Sequence, residues 1–191
     1  MKLPIIIRLT HFLENFINKT KTAYWFATQY YKNIVKREIA LADITSSDNI
    51  LFIGGGICPM SAILLHQATN AKITVIDNDS ECIPKAQEII KQLGMSNSIQ
   101  VLHQDGKTPT LPLHDFTVVQ FAMQVTPMWD VFSQVEKQVT PGTKLLIRKP
   151  KKTFCNLYSR LLHISCDNCH SVNHNRTSNV GSTILYVKPA F

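Results

Sequence analysis

Hydrophobic residues in the first forty-five positions recur at the spacing of α-helices. The apolar face of the first predicted helix comprises Leu9, Phe12, Leu13, Phe16 and Ile17. A second predicted helix runs from Trp25 to Ile39, and polar residues from Thr45 to Asp48 then indicate a loop. We therefore predict a short N-terminal helical segment at residues 1–45 before a main domain at residues 46–191.

From residue 46 onward, short β-branched runs alternate with amphipathic stretches. The pattern predicts strands at 50–53, 72–76, 99–102, 116–121 and 144–147, with helices at 59–67, 80–93 and 129–138. Alternation of this kind is typical of parallel strands joined by right-handed crossovers. A helix at 153–162 and two closing strands at 171–173 and 183–187 follow. The predicted fold is α/β: a doubly wound, Rossmann-like, mostly parallel sheet with a closing antiparallel hairpin.

The composition is that of a folded protein with an excess of basic residues. The chain has 191 residues, of which 45% are hydrophobic and 17% charged, as in ordinary globular domains. Its net charge of +7 comes partly from the first forty residues and partly from a cluster at 148–152. Such charge attracts nucleic acid or membranes in some proteins and is only a solvated face in others. Because no aromatic-interleaved RNA motif accompanies the charges, we do not expect a nucleic-acid partner.

Neither export nor a metal site is expected. The apolar run near the N-terminus covers only Leu3 to Ile7, and no small-residue cleavage site follows it, so we expect a cytoplasmic protein without a membrane span. Five scattered cysteines do not make a disulfide framework. The stretch from Cys166 to His170 fits C-x-x-C-H, which occurs in haem attachment and in half-sites for zinc. Without an export signal or a second cysteine pair, we predict a polar loop there and no metal.

A glycine-rich turn after the first predicted strand is the strongest functional signal. Gly54, Gly55 and Gly56, followed by Ile57, lie between a strand and a helix. Glycine allows a sharp turn and close approach of a ligand, and a helix N-terminus offers free N–H groups to a negative group. The full dinucleotide fingerprint G-x-G-x-x-G is absent. The turn predicts a nucleoside-binding loop, and the alternative is a tight turn that binds nothing.

Acidic residues at the ends of the next two strands complete the predicted crevice. Asp77 follows the glycine loop by roughly twenty residues, where a carboxylate can accept both hydroxyls of a ribose. Alternatively it begins the next helix, although Asp79 or Ser80 can fill that capping role. Asp105 is a candidate partner of an adenine amino group, or simply part of an Asp-Gly turn. The other candidates for this crevice are Asn78, Gly106 and Ala122.

The incomplete fingerprint and the strand pattern favour S-adenosylmethionine over a nicotinamide dinucleotide. The glycine loop resembles that of class I S-adenosylmethionine-dependent enzymes, and more narrowly that of the nicotianamine synthases, whose loop reads F-V-G-S-G-P-L-P-L-T/S where this chain has residues 52–61. Phe52 stands where most class I methyltransferases have an acid. The segments 31–38 and 145–148 and the closing hairpin are also similar to segments of that family.

The sequence departs from the family pattern at three places. The leading helical segment is shorter than the family's helical domain. Ile57 replaces the proline after the second loop glycine, and Thr177 and Ser178 replace an acidic pair in the closing hairpin. The fold that the resemblance implies is of the class I methyltransferase type.

The resemblance also implies a reaction, the transfer of a 3-amino-3-carboxypropyl group from S-adenosylmethionine to the amine of an amino-acid-like small molecule. It implies that Glu38 is the base, that Tyr31 orients the substrate, and that Arg148 holds a substrate carboxylate by a bidentate pair. The plain alternatives are a surface carboxylate, a packing aromatic and a member of the basic cluster, respectively. A methyltransferase and a binding protein without catalysis are the alternative functions, and the sequence does not indicate an oligomeric state.

Overall fold

A seven-stranded sheet forms the centre of the computed structural model, which describes residues 21–157, 169–175 and 178–190. The strands are β1 (Asn49–Ile53), β2 (Lys72–Asp77), β3 (Ile99–His103), β4 (Val118–Phe121), β5 (Lys144–Pro150), β6 (His170–Asn173) and β7 (Val180–Val187). The helices are α1 (Lys21–Ala42), α2 (Met60–Thr69), α3 (Cys82–Gln92) and α4 (Met128–Gln138), with 3-10 turns at Leu113–Asp115 and Lys152–Leu157.

The order of the strands places the carboxyl ends of β1 and β4 side by side. The sheet runs β3-β2-β1-β4-β5-β7-β6, with β1 to β5 parallel. Strand β7 lies antiparallel between β5 and β6. This arrangement confirms the predicted doubly wound sheet with a closing antiparallel hairpin. Successive strands are added on one side of β1 as far as β3, and on its other side from β4 onward. Ligands of open α/β sheets bind in the crevice where the strand order reverses in this way.

The central strands are hydrophobic on both faces because helices cover both sides of the sheet. Ile50 and Leu51 of β1 and the three residues 145–147 of β5 are fully buried. The edge strand β3 instead alternates, with Ile99 and Val101 buried while Gln100 is exposed. Within the described residues, no helix has the length and apolar character that a bilayer span requires.

Helix α1, the first helix that the structure describes, packs against the sheet. It contacts α2, β5, β6 and β7. Its residue Ile34 packs with Met123, just after β4, and with Val180 at the start of β7. The helix is therefore positioned beside both the crevice and the closing hairpin.

Two predicted elements differ from the observed ones in ways that matter for the site. Strand β5 continues to Pro150 rather than ending at residue 147, because residues 148–150 pair with the antiparallel β7. For the same reason β7 begins at Val180 rather than at residue 183. The predicted helix at 153–162 is, in the part that the structure describes, a 3-10 helix at Lys152–Leu157 rather than an α-helix. The apolar face predicted between Leu9 and Ile17 lies outside the described residues.

The turn after β1 packs directly on β2. A Cβ atom placed on Gly55 would lie 2.2 Å from Val75 Cγ1, a separation that real side chains do not show. The Gly55 backbone does not have a positive φ, so the requirement for glycine is steric rather than conformational. The close approach fixes how the turn sits over the end of β2.

We expect the substitution Gly55→Ala to lower the free energy of unfolding by about 1–3 kcal/mol, because overpacking a tight contact costs that much. Urea denaturation measures the loss. In a Val75→Ala background the same substitution is expected to cost less, since the clashing Cγ1 atom is gone. An equal cost in both backgrounds would contradict the contact.

Candidate functional site

The glycine loop passes close to the end of β4 without a side chain between them. Gly54 has a φ of +87°, which L side chains rarely adopt, and its N–H donates to the Ile76 carbonyl at 2.8 Å. An added Cβ at Gly54 would lie 3.1 Å from both Ala122 Cβ and Val125 Cγ2. Ile57, the fourth predicted loop residue, is buried. The loop backbone thus lies directly against the residues that follow β4.

Asp77 joins the end of β2 to the glycine loop. Its Oδ2 accepts a hydrogen bond from the Gly56 N–H at 2.7 Å, and its Oδ1 accepts one from the Asp79 N–H at 3.0 Å. The turn toward α3 is held instead by Asp79, whose Oδ1 accepts from the Glu81 N–H at 2.9 Å. The structure therefore brings the half-buried Asp77 carboxylate to the glycine loop, and Asp79 holds the turn that leads to α3.

The remaining crevice candidates lie after β2 and β3. Asn78 is exposed, and its carbonyl oxygen is 3.2 Å from His103 Nε2. Asp105 is also exposed, and its Oδ1 accepts from the Lys107 N–H at 2.9 Å, as in the Asp-Gly turn that was the alternative interpretation. Gly106 is buried, and a Cβ there would lie 2.8 Å from Val131 Cγ1.

A buried ion pair links α1 to the end of β5. Arg148 Nε donates to Glu38 Oε1 at 2.8 Å, and Arg148 Nη2 donates to Glu38 Oε2 at 2.7 Å. Glu38 is only 2% exposed, and Arg148 is only 5% exposed. Because both are buried, Glu38 is not a surface carboxylate and Arg148 is not part of a basic surface, as the alternative interpretations had it. The carboxylate that the Arg148 fork holds in this structure belongs to Glu38.

Further hydrogen bonds extend this pair into a network of five side chains. Arg148 Nη1 donates to Ser61 Oγ at 2.9 Å, and Ser61 is the second residue of α2, the helix that follows the glycine loop. On the other side, Thr183 Oγ1 donates to Glu38 Oε1 at 2.7 Å. His174 Nε2 lies 2.8 Å from the same Thr183 oxygen. We call Ser61, Arg148, Glu38, Thr183 and His174 the polar network.

Aromatic rings border the buried guanidinium. The Arg148 Cζ atom is 5.9 Å from the ring centroids of Tyr31 and Phe52, a distance at which a cation is attracted to a ring face. Burial lowers the pKa of Arg148, but the charge and hydrogen bonds of Glu38 oppose this, and the pKa lies above its ordinary value. The predicted site residues Tyr31, Glu38 and Arg148 therefore lie together.

His174 ends the network at a half-buried position. Burial lowers its pKa below the ordinary 6.5; Glu38 opposes the shift, whereas the positive charges of Arg148 and Arg37 add to it. Its Nδ1 atom is buried and has no hydrogen-bond partner among the described residues. The folded protein thus favours the neutral imidazole of His174 more than the unfolded chain does.

Sequence reasoning did not find the contributions of Ser61 and Thr183. Thr183 is a fully buried polar residue in the hydrophobic run of β7. A polar residue on the inward face of a strand is the signal that could have identified it. Ser61 offers no such signal, because serine is common in the first turn of helices.

The C-x-x-C-H stretch is described only in part. Within the described ranges, no three His, Cys, Asp or Glu side chains are grouped so that they could hold a metal ion. Cys169 is disulfide-bonded, whereas Cys58 and Cys82 are buried and reduced. Residues 166–168 lie outside the described residues.

Removing one charge of the buried pair is expected to destabilise the fold more than removing both. Arg148→Met should lower the free energy of unfolding by about 3–5 kcal/mol, because it leaves the Glu38 carboxylate buried and unpaired. The double variant Glu38→Leu/Arg148→Met should recover most of this loss in guanidinium denaturation. The exposed neighbour Lys149→Met is the control, with an expected change within about 0.5 kcal/mol. A double variant no more stable than Arg148→Met would refute the pairing.

The lowered pKa of His174 predicts a pH dependence of stability. Between that pKa and 6.5 the unfolded chain binds more protons at this position than the folded protein, so the free energy of unfolding rises with pH across this interval. His174→Gln keeps a donor for Thr183 but does not titrate. Urea denaturation at several pH values should show a shallower slope in this variant than in the wild type. Equal slopes would show that His174 does not contribute.

Solved structures with the same fold include S-adenosylmethionine-dependent enzymes. The chain matches MtNAS in complex with MTA and tNA at a TM-score of 0.77 and 19% identity, covering 96% of this chain and 71% of that one. A glutamate-to-glutamine variant of MtNAS in complex with S-adenosylmethionine matches at 0.76 and 18%, covering 96% and 73%. An RNA methyltransferase from Salinibacter ruber in complex with S-adenosyl-L-homocysteine matches at 0.62 and 17%, covering 83% and 92%. The fold is that of class I methyltransferases.

Sequence comparison identifies the family. L-histidine 2-aminobutanoyltransferase of Yersinia pestis is 24% identical over 150 residues, which are 78% of this chain and 53% of the relative. The enzyme of the same name from Pseudomonas aeruginosa is 26% identical over 117 residues, or 60% and 43%. The chain thus spans about half the length of these curated relatives. The profile of the nicotianamine synthase protein family matches residues 12–179, most of the sequence, and the chain belongs to that family.

Proposed function

We propose that this protein transfers a 3-amino-3-carboxypropyl group from S-adenosylmethionine to the amine of an amino-acid-like small molecule. The observation that carries the proposal is the buried Glu38 carboxylate, which Arg148 and Ser61 tie to the helix that follows the glycine loop. This arrangement fixes a potential base relative to a nucleoside-binding crevice. Membership of the nicotianamine synthase family and the names of the relatives, which state an aminobutanoyl transfer to L-histidine, favour the same reaction.

The residues around the glycine loop fit S-adenosylmethionine. Gly54 and Gly55 leave no room for side chains, so a ligand meets bare backbone at this turn. Each Asp77 oxygen accepts one described N–H and has a further lone pair for a ribose hydroxyl. Ala122 lies beside Gly54, and we propose that it also lines the site. The other residues that we propose to line this site are Gly56, Ile57, Asn78, Asp105 and Gly106.

When bound, S-adenosylmethionine supplies an electrophilic carbon: attack by an amine forms a C–N bond, breaks a C–S bond and releases methylthioadenosine if the aminocarboxypropyl carbon reacts. The amine must also lose a proton, and a positioned carboxylate can accept it. Glu38 Oε2 accepts one described hydrogen bond, from Arg148, so it has a lone pair for that proton. We therefore propose Glu38 as the base.

Arg148 and Tyr31 then have supporting roles. Because the guanidinium fork is already occupied by Glu38, we propose that Arg148 fixes the plane of the Glu38 carboxylate rather than holding a substrate carboxylate. Tyr31 precedes Glu38 by two helical turns and lies on the same face of α1. Its ring packs beside Arg148, where it can limit the orientations of an acceptor near Glu38.

The identity of the sulfur product tests the proposal. We expect the protein, incubated with S-adenosylmethionine and individual amino acids, to release methylthioadenosine, detected by mass spectrometry. S-Adenosylhomocysteine would instead indicate a methyltransferase, and neither product would indicate binding without catalysis. Asp77→Ala should weaken S-adenosylmethionine binding about tenfold or more, since hydrogen bonds to a charged group contribute about 1.5–3 kcal/mol. Asp115→Ala, at an exposed site far from the loop in sequence, is the matched control.

A further inference from the structure

Thr183 of β7 lies directly across from Arg148 in the sheet. The two residues are register partners in the antiparallel pair of β5 and β7, so their side chains stand next to each other on one face. Thr183 is fully buried in a strand whose other buried residues, Val180 and Leu185, are apolar. Burying a hydroxyl is unfavourable unless it is hydrogen-bonded, and the acceptor for this one is the Glu38 carboxylate.

The direction of the hydrogen bond between Thr183 and Glu38 follows from the chemistry of the carboxylate. Glu38, ionised and paired with Arg148, can only accept, so the Thr183 hydroxyl donates its one proton to Glu38 Oε1 at 2.7 Å. His174 Nε2 is 2.8 Å from the same hydroxyl oxygen, which must therefore accept in that contact. The Thr183 proton is thus committed to Glu38.

Thr183 occupies a hydrogen-bonding site of Glu38 that Arg148 does not use. A carboxylate has about four lone-pair sites, two on each oxygen. At Oε1 both are used, one by Arg148 Nε at 2.8 Å and one by Thr183 Oγ1 at 2.7 Å. At Oε2 one is used, by Arg148 Nη2 at 2.7 Å. Among the described residues, the second site on Oε2 has no donor, and Glu38 retains no other such site.

The free site of Glu38 is on the oxygen that faces away from the strands. Nε precedes the terminal nitrogens in the Arg148 side chain, so Oε1, which binds Nε and the Thr183 hydroxyl, is on the strand side of the carboxylate. Oε2 instead binds the terminal nitrogen Nη2. The other terminal nitrogen, Nη1, donates to Ser61 in the first turn of α2. The free site therefore belongs to the outer end of the guanidinium, which also binds the helix that follows the glycine loop.

We propose that Thr183 is a positioning residue for Glu38, which directs proton transfer from the acceptor to Oε2. The inference rests on the proposed function, because that function makes Glu38 the base. When the ammonium group of the acceptor binds at Oε2, one N–H bond breaks and one O–H bond forms, which leaves a neutral amine with a lone pair for attack and an uncharged Glu38. Because Thr183 fills the last site on Oε1, the ammonium group has one place to bind, and the direction of the amine is fixed. Such orientation contributes substantially to catalysis.

Steady-state kinetics on the full chain test this role, with release of methylthioadenosine as the readout and the amino acid that reacts fastest with the wild type as the acceptor. Thr183→Val keeps the shape of the side chain but removes the hydroxyl. It should lower kcat about tenfold or more, the effect expected for a lost hydrogen bond to a charged group, while the KM for S-adenosylmethionine stays close to that of the wild type. Thr183→Ala should behave in the same way, and Thr183→Ser, which retains the hydroxyl, should recover most of the activity.

Thr143→Val is the matched control. The Thr143 hydroxyl is also buried, but it donates to the Phe116 carbonyl just before β5 begins, at the opposite end of that strand from Arg148. The control loses one buried hydrogen bond to a neutral group and should keep the wild-type kcat. Thermal denaturation verifies that each variant is folded.

A Glu38→Gln background separates positioning from a general loss of packing. Residues that act as a unit have non-additive effects on rate, so Thr183→Val should not further lower the residual activity of Glu38→Gln, measured with enzyme in excess. Wild-type kcat in Thr183→Val, an equal loss in both backgrounds, or a Thr183→Ser variant as slow as Thr183→Val would overturn this inference alone. A wild type that releases no methylthioadenosine, or a Glu38→Gln variant with full activity, would refute the proposed function and this inference with it.

Discussion

The buried contact between Glu38 and Arg148 is the constraint on which the site depends. Two charges removed from water are tolerated only when their geometry is good and their remaining hydrogen-bonding groups are satisfied. Here the pairing is bidentate, and Thr183 and Ser61 supply additional partners. Because one residue of helix advances 1.5 Å along its axis, a slip of α1 by even one residue would break both charged hydrogen bonds. The pair therefore specifies the register of α1 on the sheet, which apolar contacts alone define less sharply.

That register positions everything else that α1 contributes. Tyr31 is brought beside Arg148, and Arg37 is brought to the end of β6, where it donates to the Asn173 carbonyl. At the other end, the bond from Arg148 to Ser61 connects the same pair to the first turn of α2. The glycine loop, the proposed base and the closing hairpin are thus parts of one connected structure, and a shift of one element would misalign the others.

Local patterns were enough to predict the sheet and the glycine loop, because both are encoded within short stretches of sequence. Strand alternation located β1 to β5, and the interval from Gly54 to Asp77 predicted that Asp77 faces the same crevice as the glycine loop. In the structure Asp77 accepts a hydrogen bond from the Gly56 N–H. The ion pair could not be predicted in this way, since its members are separated by 110 residues. Arg148 belongs in sequence to a basic cluster, and only the antiparallel pairing that extends β5 beyond its hydrophobic run places this one cation inside.

The fold alone does not decide which bond of a sulfonium is broken, because this chain also matches an RNA methyltransferase over most of that protein's length. The sulfonium offers several carbons, and the one that reacts is the one in line with the nucleophile, because orientation contributes several kcal/mol. Selecting a carbon thus requires an acceptor held at a fixed place relative to the glycine loop. In this protein α1 and the closing hairpin contact each other, and the polar network joins them to β5. Reaction choice would then be set by the elements added around the sheet, where Glu38 and His174 lie, rather than by the nucleoside-binding strands.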